Sequence, residues 1–358
     1  MIGSRVINQQ ARERNLALFM MLPAAILLIT FLITPFLMAL GFSLTNQRLI
    51  SRNPAHFIGL ENYRRLLTVR LILMEPLRNE DGTVQLEEGR PQYPRARTIL
   101  RGNERYQGLR ELRQFTLFGR RYLIAAGDPV FILSLRNIFY FVIIVVPLQT
   151  SFALLLTMLV NQKIRGANLF RTIYFSPVVN AMAVVAVLWF FLYNPDRGLI
   201  NAILSLFGIG PLQWLESPWQ AMPAIMLLSI WQGMGFQMVI YLAGLQEIPE
   251  QLYEAGSLDG ANIWQKFRYI TLPGLRNTSI FVLVSTTILA FKLFTQVEVM
   301  TFGRGGPGNS TITTVLHLVN QGFRQQRVGY ASAIAVVFVV MVTIIALVQR
   351  RLLVEEAA

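Results

Sequence analysis

The stretch Glu254-Ala-Gly-Ser-Leu-Asp-Gly260, followed after nine residues by Ile270-Thr-Leu-Pro273, is the longest polar interruption between apolar runs in the second half of the chain. It reads as two short helices joined at a glycine. Pro249 fits the first turn of the first helix, where a missing N–H costs nothing, and Glu250 complements the positive end of its dipole. Gly260 supplies the backbone freedom that turns the chain. Asn262 and Gln265 stand at capping-box spacing for a second helix over 263–270, which Pro273 helps to end.

The sequence on either side is apolar. Hydrophobic residues make up 54% of the chain and charged ones 14%, too greasy for an ordinary soluble domain. Six runs reach the roughly 20 residues that cross a bilayer: 16–44, 138–160, 172–193, 221–243, 278–299 and 330–348. The first exceeds a signal-peptide core, and no small-residue cleavage site follows it, so it reads as a retained span. The polar two-helix element therefore lies in the loop between the fourth and fifth spans.

Residues 46–134 differ in character. They hold nearly half of the basic residues, several turn signals and no run of spanning length. Leu, Phe and Tyr recur throughout, which predicts a small folded insert of mixed structure. Asp81-Gly82 fits a hairpin turn, and 114–126 a strand pair.

Charge then orients the chain. With the N-terminus inside, the inner segments carry eleven basic residues: Arg5, Arg12, Arg14, Lys163, Arg165, Arg171, Lys266, Arg268, Arg276, Arg350 and Arg351. The short outer loops carry four: Arg197, Arg304, Arg324 and Arg327. The long insert does not vote, because long loops translocate largely regardless of charge. Both termini and the 248–275 loop are expected on the cytoplasmic side, and the insert outside. The net charge of +13 is thus divided between an outer insert and positive-inside flanks, which removes the case for nucleic acid.

Several chemistries are excluded. Without cysteine there is no disulfide, thiolate metal site or cysteine nucleophile. His56 and His317 are the only histidines and stand far apart, so no histidine metal site is expected. None of the three lysines, Lys163, Lys266 and Lys292, follows a glycine, so there is no Gly-Lys phosphate loop and no expectation of nucleotide hydrolysis by this chain.

The loop spacing resembles the signature of the membrane subunits of ABC-type importers: Glu-Ala-Ala, three residues, Gly, nine residues, Ile, one residue, Leu-Pro. The match falls at Glu254, Ala255, Gly260, Ile270, Leu272 and Pro273, with Gly256 where the family usually has alanine. Gly59-Leu-Glu-Asn-Tyr63, Gly305-Gly-Pro307 with Asn309-Ser-Thr311, and Gly329-Tyr-Ala-Ser332 resemble segments of the carbohydrate branch, the maltose- and glycerol-phosphate-type permeases. The similarity spans nearly the whole chain except about 68–127. It implies an all-α membrane protein with six transmembrane helices of the type I importer kind: a first helix within 1–45, an outer insert at 46–134, a five-helix core at 135–352 and a short tail at 353–358. The implied setting is a bacterial plasma (inner) membrane.

What the resemblance implies for function is coupling and passage without bond chemistry. The loop docks on a separate ATPase chain, which holds ATP and Mg, through Tyr253, Glu254, Ala255, Gly256, Leu258, Asp259 and Gly260. The implied partners are a second, homologous membrane subunit, two ATPase subunits, an extracytoplasmic substrate-binding protein and a sugar. Glu254 and Asp259 argue against the other reading of the loop, an amphipathic connector on the bilayer, where basic residues would serve anionic lipid. Polar groups inside the spans mark a candidate path: Asn180, Gln232 and Gln296 from their chemistry, and Gly233, Phe236, Lys292 and Thr295 by matching maltose-type sugar contacts. An ion-coupled secondary carrier is the alternative. It calls for paired broken helices with midplane carboxylates, whereas Glu298 is the only carboxylate within a predicted span.

Overall fold

The computed structural model describes residues 2–51, 53–162 and 166–355. The chain divides into two compact units. The smaller comprises Met1–Leu66 with Gln321–Val337, and the larger Leu67–Asn320 with Phe338–Ala358.

In the smaller unit, helix α1 (Ile2–Leu28) continues through a π turn at Ile29–Ile33 into α2 (Thr34–Ser43). Together they contain the first span, Asn15–Ser43. Helix α3 (Glu61–Leu67) follows.

The larger unit opens with the insert. Strands β1 (Val69–Met74), β4 (Arg110–Leu117) and β5 (Arg120–Ala126) form an antiparallel sheet in the order β1-β5-β4. The β4–β5 turn is Phe118-Gly119, both at positive φ, as a tight type I′ hairpin requires. Helix α4 (Ala96–Arg101) closes a small core of Ile72, Met74, Ala96, Leu100, Leu123 and Ala125. The expected strand pair over 114–126 is present. Asp81-Gly82 makes a turn closed by a single Arg78–Val84 bridge, whereas the hairpin proper lies further on, between β2 (Leu86–Glu87) and β3 (Arg90–Pro91).

Helix α5 (Pro129–Val160) starts inside the segment expected to be insert. Asp128 caps it by accepting from the Phe131 N–H at 3.1 Å, with Pro129 in the first turn. The third span is not one rod: α6 (Ala167–Val179) and α7 (Met182–Leu192) meet at 99°. Pro177 weakens the last turn of α6, and Asn180 and Ala181 are extended. The Asn180 amide donates to the Ser176 carbonyl at 3.0 Å, satisfying a group left at the helix end.

A short helix α8 (Leu199–Ser205) leads to the fourth span, α9 (Ala221–Gln246), which is the centre of packing. Its glycines let neighbours approach closely. A Cβ on Gly233 would lie 2.2 Å from Gln149 Nε2 of α5, and one on Gly235 only 2.1 Å from the Tyr174 carbonyl oxygen of α6. Gln149 donates to Gln237 at 2.8 Å and Gln237 to Thr286 at 2.9 Å, stitching α5 through α9 to the fifth span.

The chain then passes through α10 (Glu250–Leu258), α11 (Ile263–Lys266), a π turn at Phe267–Thr271 and α12 (Leu272–Gly274). Pro273 thus sits within a helical continuation, and the break comes at Leu275. The fifth span, Arg276–Met300, is divided into α13 (Arg276–Phe291) and α14 (Thr295–Met300). Thr313, which caps α15 (Thr314–Val319), donates its hydroxyl to the Leu293 carbonyl at 2.8 Å and so satisfies backbone freed by that break. The last helix is α16 (Val328–Glu355). Among the described residues there are therefore five membrane-length helices plus one bent pair, six spans when the pair is counted as one.

Candidate functional site

The α10–α11 element is stitched to itself. Asp259 ends α10, Gly260 has φ +75°, and the Ala261 N–H reaches the Gly256 carbonyl at 2.8 Å while the Gly260 N–H reaches Ser257 at 3.2 Å. This is a Schellman close, which needs the left-handed backbone that glycine adopts without strain. The capping box is complete: Asn262 Oδ1 accepts from the Gln265 N–H at 2.8 Å, and Gln265 Oε1 accepts from the Asn262 N–H at 2.7 Å. Across the element, Lys266 Nζ donates to Ser257 Oγ at 2.6 Å, and the Tyr253 and Thr271 hydroxyls meet at 2.9 Å. A Cβ on Gly256 would stand 3.1 Å from the terminal carbon of Ile270, so the small residue lets the two halves close.

The opposite side of the element faces outward. Glu254, Ala255, Leu258, Asp259 and Gly260 are exposed, while Tyr253 and Gly256 are half-buried on the inner side. Leu258 is 90% exposed and Ile263 84%, with Trp264 and Tyr269 beside them. Bare apolar side chains next to two carboxylates are costly in water and mark a surface built to be covered.

The candidate path residues fall on three elements. Asn180 is exposed at the break between α6 and α7. Lys292 is exposed at the end of α13, and Thr295 opens α14. Because the span is interrupted between Lys292 and Glu298, straight-helix geometry does not relate those two residues. Gln296 reaches back to Ser229 of α9 at 3.5 Å, and α14 packs on α7, so the second halves of both broken spans lie against each other. On α9, Phe236 is exposed and Gln232 half-buried. Gly233 is occupied differently from the other candidates, since the Gln149 amide presses on its Cα and makes it a packing glycine.

Two polar clusters had no counterpart in the sequence reading. One fixes the chain after the fifth span to the start of α5. His317 Nε2 lies 2.8 Å from Asp128 Oδ2, Ser134 and Thr314 hydroxyls are 3.3 Å apart, and the Asn137 amide donates to the carbonyls of Asn309 and Ile312. The other lies in the smaller unit and gives two of the sequence motifs a purpose. The Asn62 amide donates to the carbonyls of Ser43 and Thr45, and the Tyr63 hydroxyl meets Ser43 Oγ at 2.6 Å, tying off the first span. The Gly329 N–H donates to the Gln47 carbonyl, and a Cβ there would fall 2.2 Å from the Thr45 carbonyl oxygen. The segments Gly59–Tyr63 and Gly329–Ser332 stand out in the sequence only by their resemblance to the carbohydrate branch, which says nothing of this latch.

No group of three or more potential metal ligands occurs among the described residues. Residues 130–353 match the family model described as "Binding-protein-dependent transport system inner membrane component". The chain belongs to this family of ABC importer permeases. The matched region contains the α10–α12 element and all spans except the first.

Among the relatives of this permease, the lactose transport system permease protein LacF of Rhizobium radiobacter is 36% identical over 226 residues, covering 62% of this chain and 76% of that protein. The arabinooligosaccharides transport system permease protein AraP of Halalkalibacterium halodurans is 33% identical over 224 residues, covering 62% and 71%. Among solved structures, a chain of a bacterial ABC transporter that imports the acidic polysaccharide alginate superposes with TM-score 0.65 at 19% identity, covering 98% of this chain and 99% of its own. The fold is that of a type I importer permease, a multi-pass membrane protein with five or, counting the bent pair, six apolar spans among the described residues. As a permease, the chain supplies passage, and its family leaves nucleotide hydrolysis to a separate chain.

Proposed function

We propose that this permease forms half of the passage of an ATP-driven sugar importer and receives its drive through the α10–α11 element. The observation that carries the reading is a prestitched, rigid element whose outer face combines exposed Leu258 and Ile263 with Glu254 and Asp259. Such a face fits a cleft on an ATPase chain that holds ATP and Mg. A second membrane subunit closes the other half of the path, two ATPase copies serve the pair, and an extracytoplasmic binding protein delivers the sugar on the insert's side. Both termini are cytoplasmic in this arrangement, in a bacterial plasma membrane, as the inner charge excess favours. The names of the relatives, lactose and arabinooligosaccharides, support a saccharide as cargo.

The mechanism is alternating access. Nucleotide-driven closure of the ATPases pushes the docked elements, and the spans rearrange about their packed glycines. Asn180, Gln232, Gln296 and Thr295 offer hydroxyl-directed hydrogen bonds, Phe236 an aromatic face and Lys292 a cationic donor. Gly233 contributes by letting α5 and α9 pack closely. Reconstituted transporter carrying Glu254→Lys or Gly260→Val should assemble yet lose the coupling of ATP hydrolysis to sugar uptake. Normal uptake in both variants rejects the docking role.

A further inference from the structure

Beside the latch in the smaller unit lies an open pocket of about 350 Å³. Arg48, Arg65 and Arg327 line it together with Asn46, Glu61 and Tyr330. The Arg65 guanidinium is positioned over the Tyr330 ring, 5.0 Å from its centre, which holds one fork in place. Among the described residues none of the three arginines is ion-paired, and Glu61 is the one carboxylate among the residues that line the pocket. Three guanidinium groups around one carboxylate leave an excess of positive charge, and such forks recognise phosphate oxyanions bidentately.

Position narrows the ligand. The cavity lies directly beyond Ser43, where the first span ends, and beside Val328, where the last helix begins. It is therefore at the membrane–water boundary, where phospholipid phosphates sit. The last turns of the first span carry the apolar residues Phe36, Leu37, Met38 and Leu40, suited to contact acyl chains. From this placement we propose that the cavity holds the headgroup of an anionic phospholipid. The arginines take the phosphate, and Glu61 and Asn46 accept from or donate to headgroup hydroxyls.

The test uses the full chain assembled with its partner subunits in nanodiscs of equal phosphatidylglycerol and phosphatidylethanolamine. Lipid retained after purification is quantified by mass spectrometry. The wild type should retain phosphatidylglycerol over phosphatidylethanolamine by on the order of tenfold, and the combined Arg48→Gln, Arg65→Gln, Arg327→Gln variant should fall to the bulk ratio. The matching triple lysine variant, which keeps the charge, should recover part of the preference. Should the glutamine triple fail to assemble, Arg48→Gln alone, at an exposed loop position, should lower the ratio several-fold. A wild-type ratio equal to bulk, or an unchanged ratio in these variants, overturns the proposal. So does displacement of the lipid by millimolar glycerol 1-phosphate, which would make a soluble phosphate the ligand. Weakened binding-protein association with unchanged lipid would instead assign the arginines to a protein carboxylate, and likewise overturns it.

Discussion

Three glycines of this permease share a residue type and differ in what surrounds them, which makes their substitutions separable. At Gly235 an added methyl meets backbone, the Tyr174 carbonyl oxygen, and backbone inside a helix pair cannot step aside. At Gly233 it meets the Gln149 amide, whose partner Gln237 holds it in place. At Gly256 it meets the end of a flexible isoleucine at 3.1 Å. Overpacking a close contact costs about 1–3 kcal/mol, while replacing glycine in a helix returns up to about 1 kcal/mol. Thermal melts of the purified transporter should therefore rank Gly235→Ala as the most destabilising and Gly233→Ala next. Gly256→Ala should be neutral or slightly stabilising, and it restores the residue usual at that position of the loop signature. A melting temperature lowered most by Gly256→Ala would contradict this order.

At the scale of elements, the two broken spans are kept broken by hydrogen bonds from outside the ideal helix ladder. Thr313 serves twice, donating to the Leu293 carbonyl and accepting from the Leu316 N–H at 3.3 Å. Thr313→Val keeps the shape and loses both bonds, so it should cost about 1–3 kcal/mol. Thr313→Ser should recover most of the loss, and hydrogen exchange across 289–300 should quicken in the valine variant alone. This break was not legible in the sequence, because Leu293 is relieved by a residue twenty positions away. The bend at Asn180 left a faint trace in Pro177, but a proline in an apolar run is equally compatible with a mild kink. By contrast, the capping box at Asn262 and Gln265 and the turn at Gly260 were legible because their bonds are local. The pairing of Asp128 with His317 joins positions 189 apart and had no local signal. Candidate path residues could be found as polar groups in apolar runs, yet their facing could not. Gly233 shows why, since only the packed structure reveals the amide resting on it.

For the whole molecule, the spans bury little of themselves. Within the larger unit, the buried share of the most apolar window runs from 39% for the fifth span to 56% for the fourth. Such surface needs lipid or another protein to cover it, which suits the companion membrane subunit proposed above. Produced without its companion membrane subunit, the chain should be degraded in the membrane, and coexpression should raise its steady-state level several-fold. Equal levels in both conditions would indicate a self-sufficient monomer. The α10–α12 element adds a constraint on how any motion spreads. Where that element leaves α9 and returns to α13, Gly274 packs so tightly on Ile248 that a Cβ would come within 2.6 Å of it. Ile248 in turn packs on Tyr241, Leu245, Leu275 and Val282. The two ends of the element are thus pinched at one pivot, and its limbs are cross-tied by Tyr253–Thr271 and Lys266–Ser257. Under the proposed docking, a push on the exposed face would turn it as a crank handle turns a shaft: α9 and α13 would receive the same torque at the same moment, and neither could be driven alone.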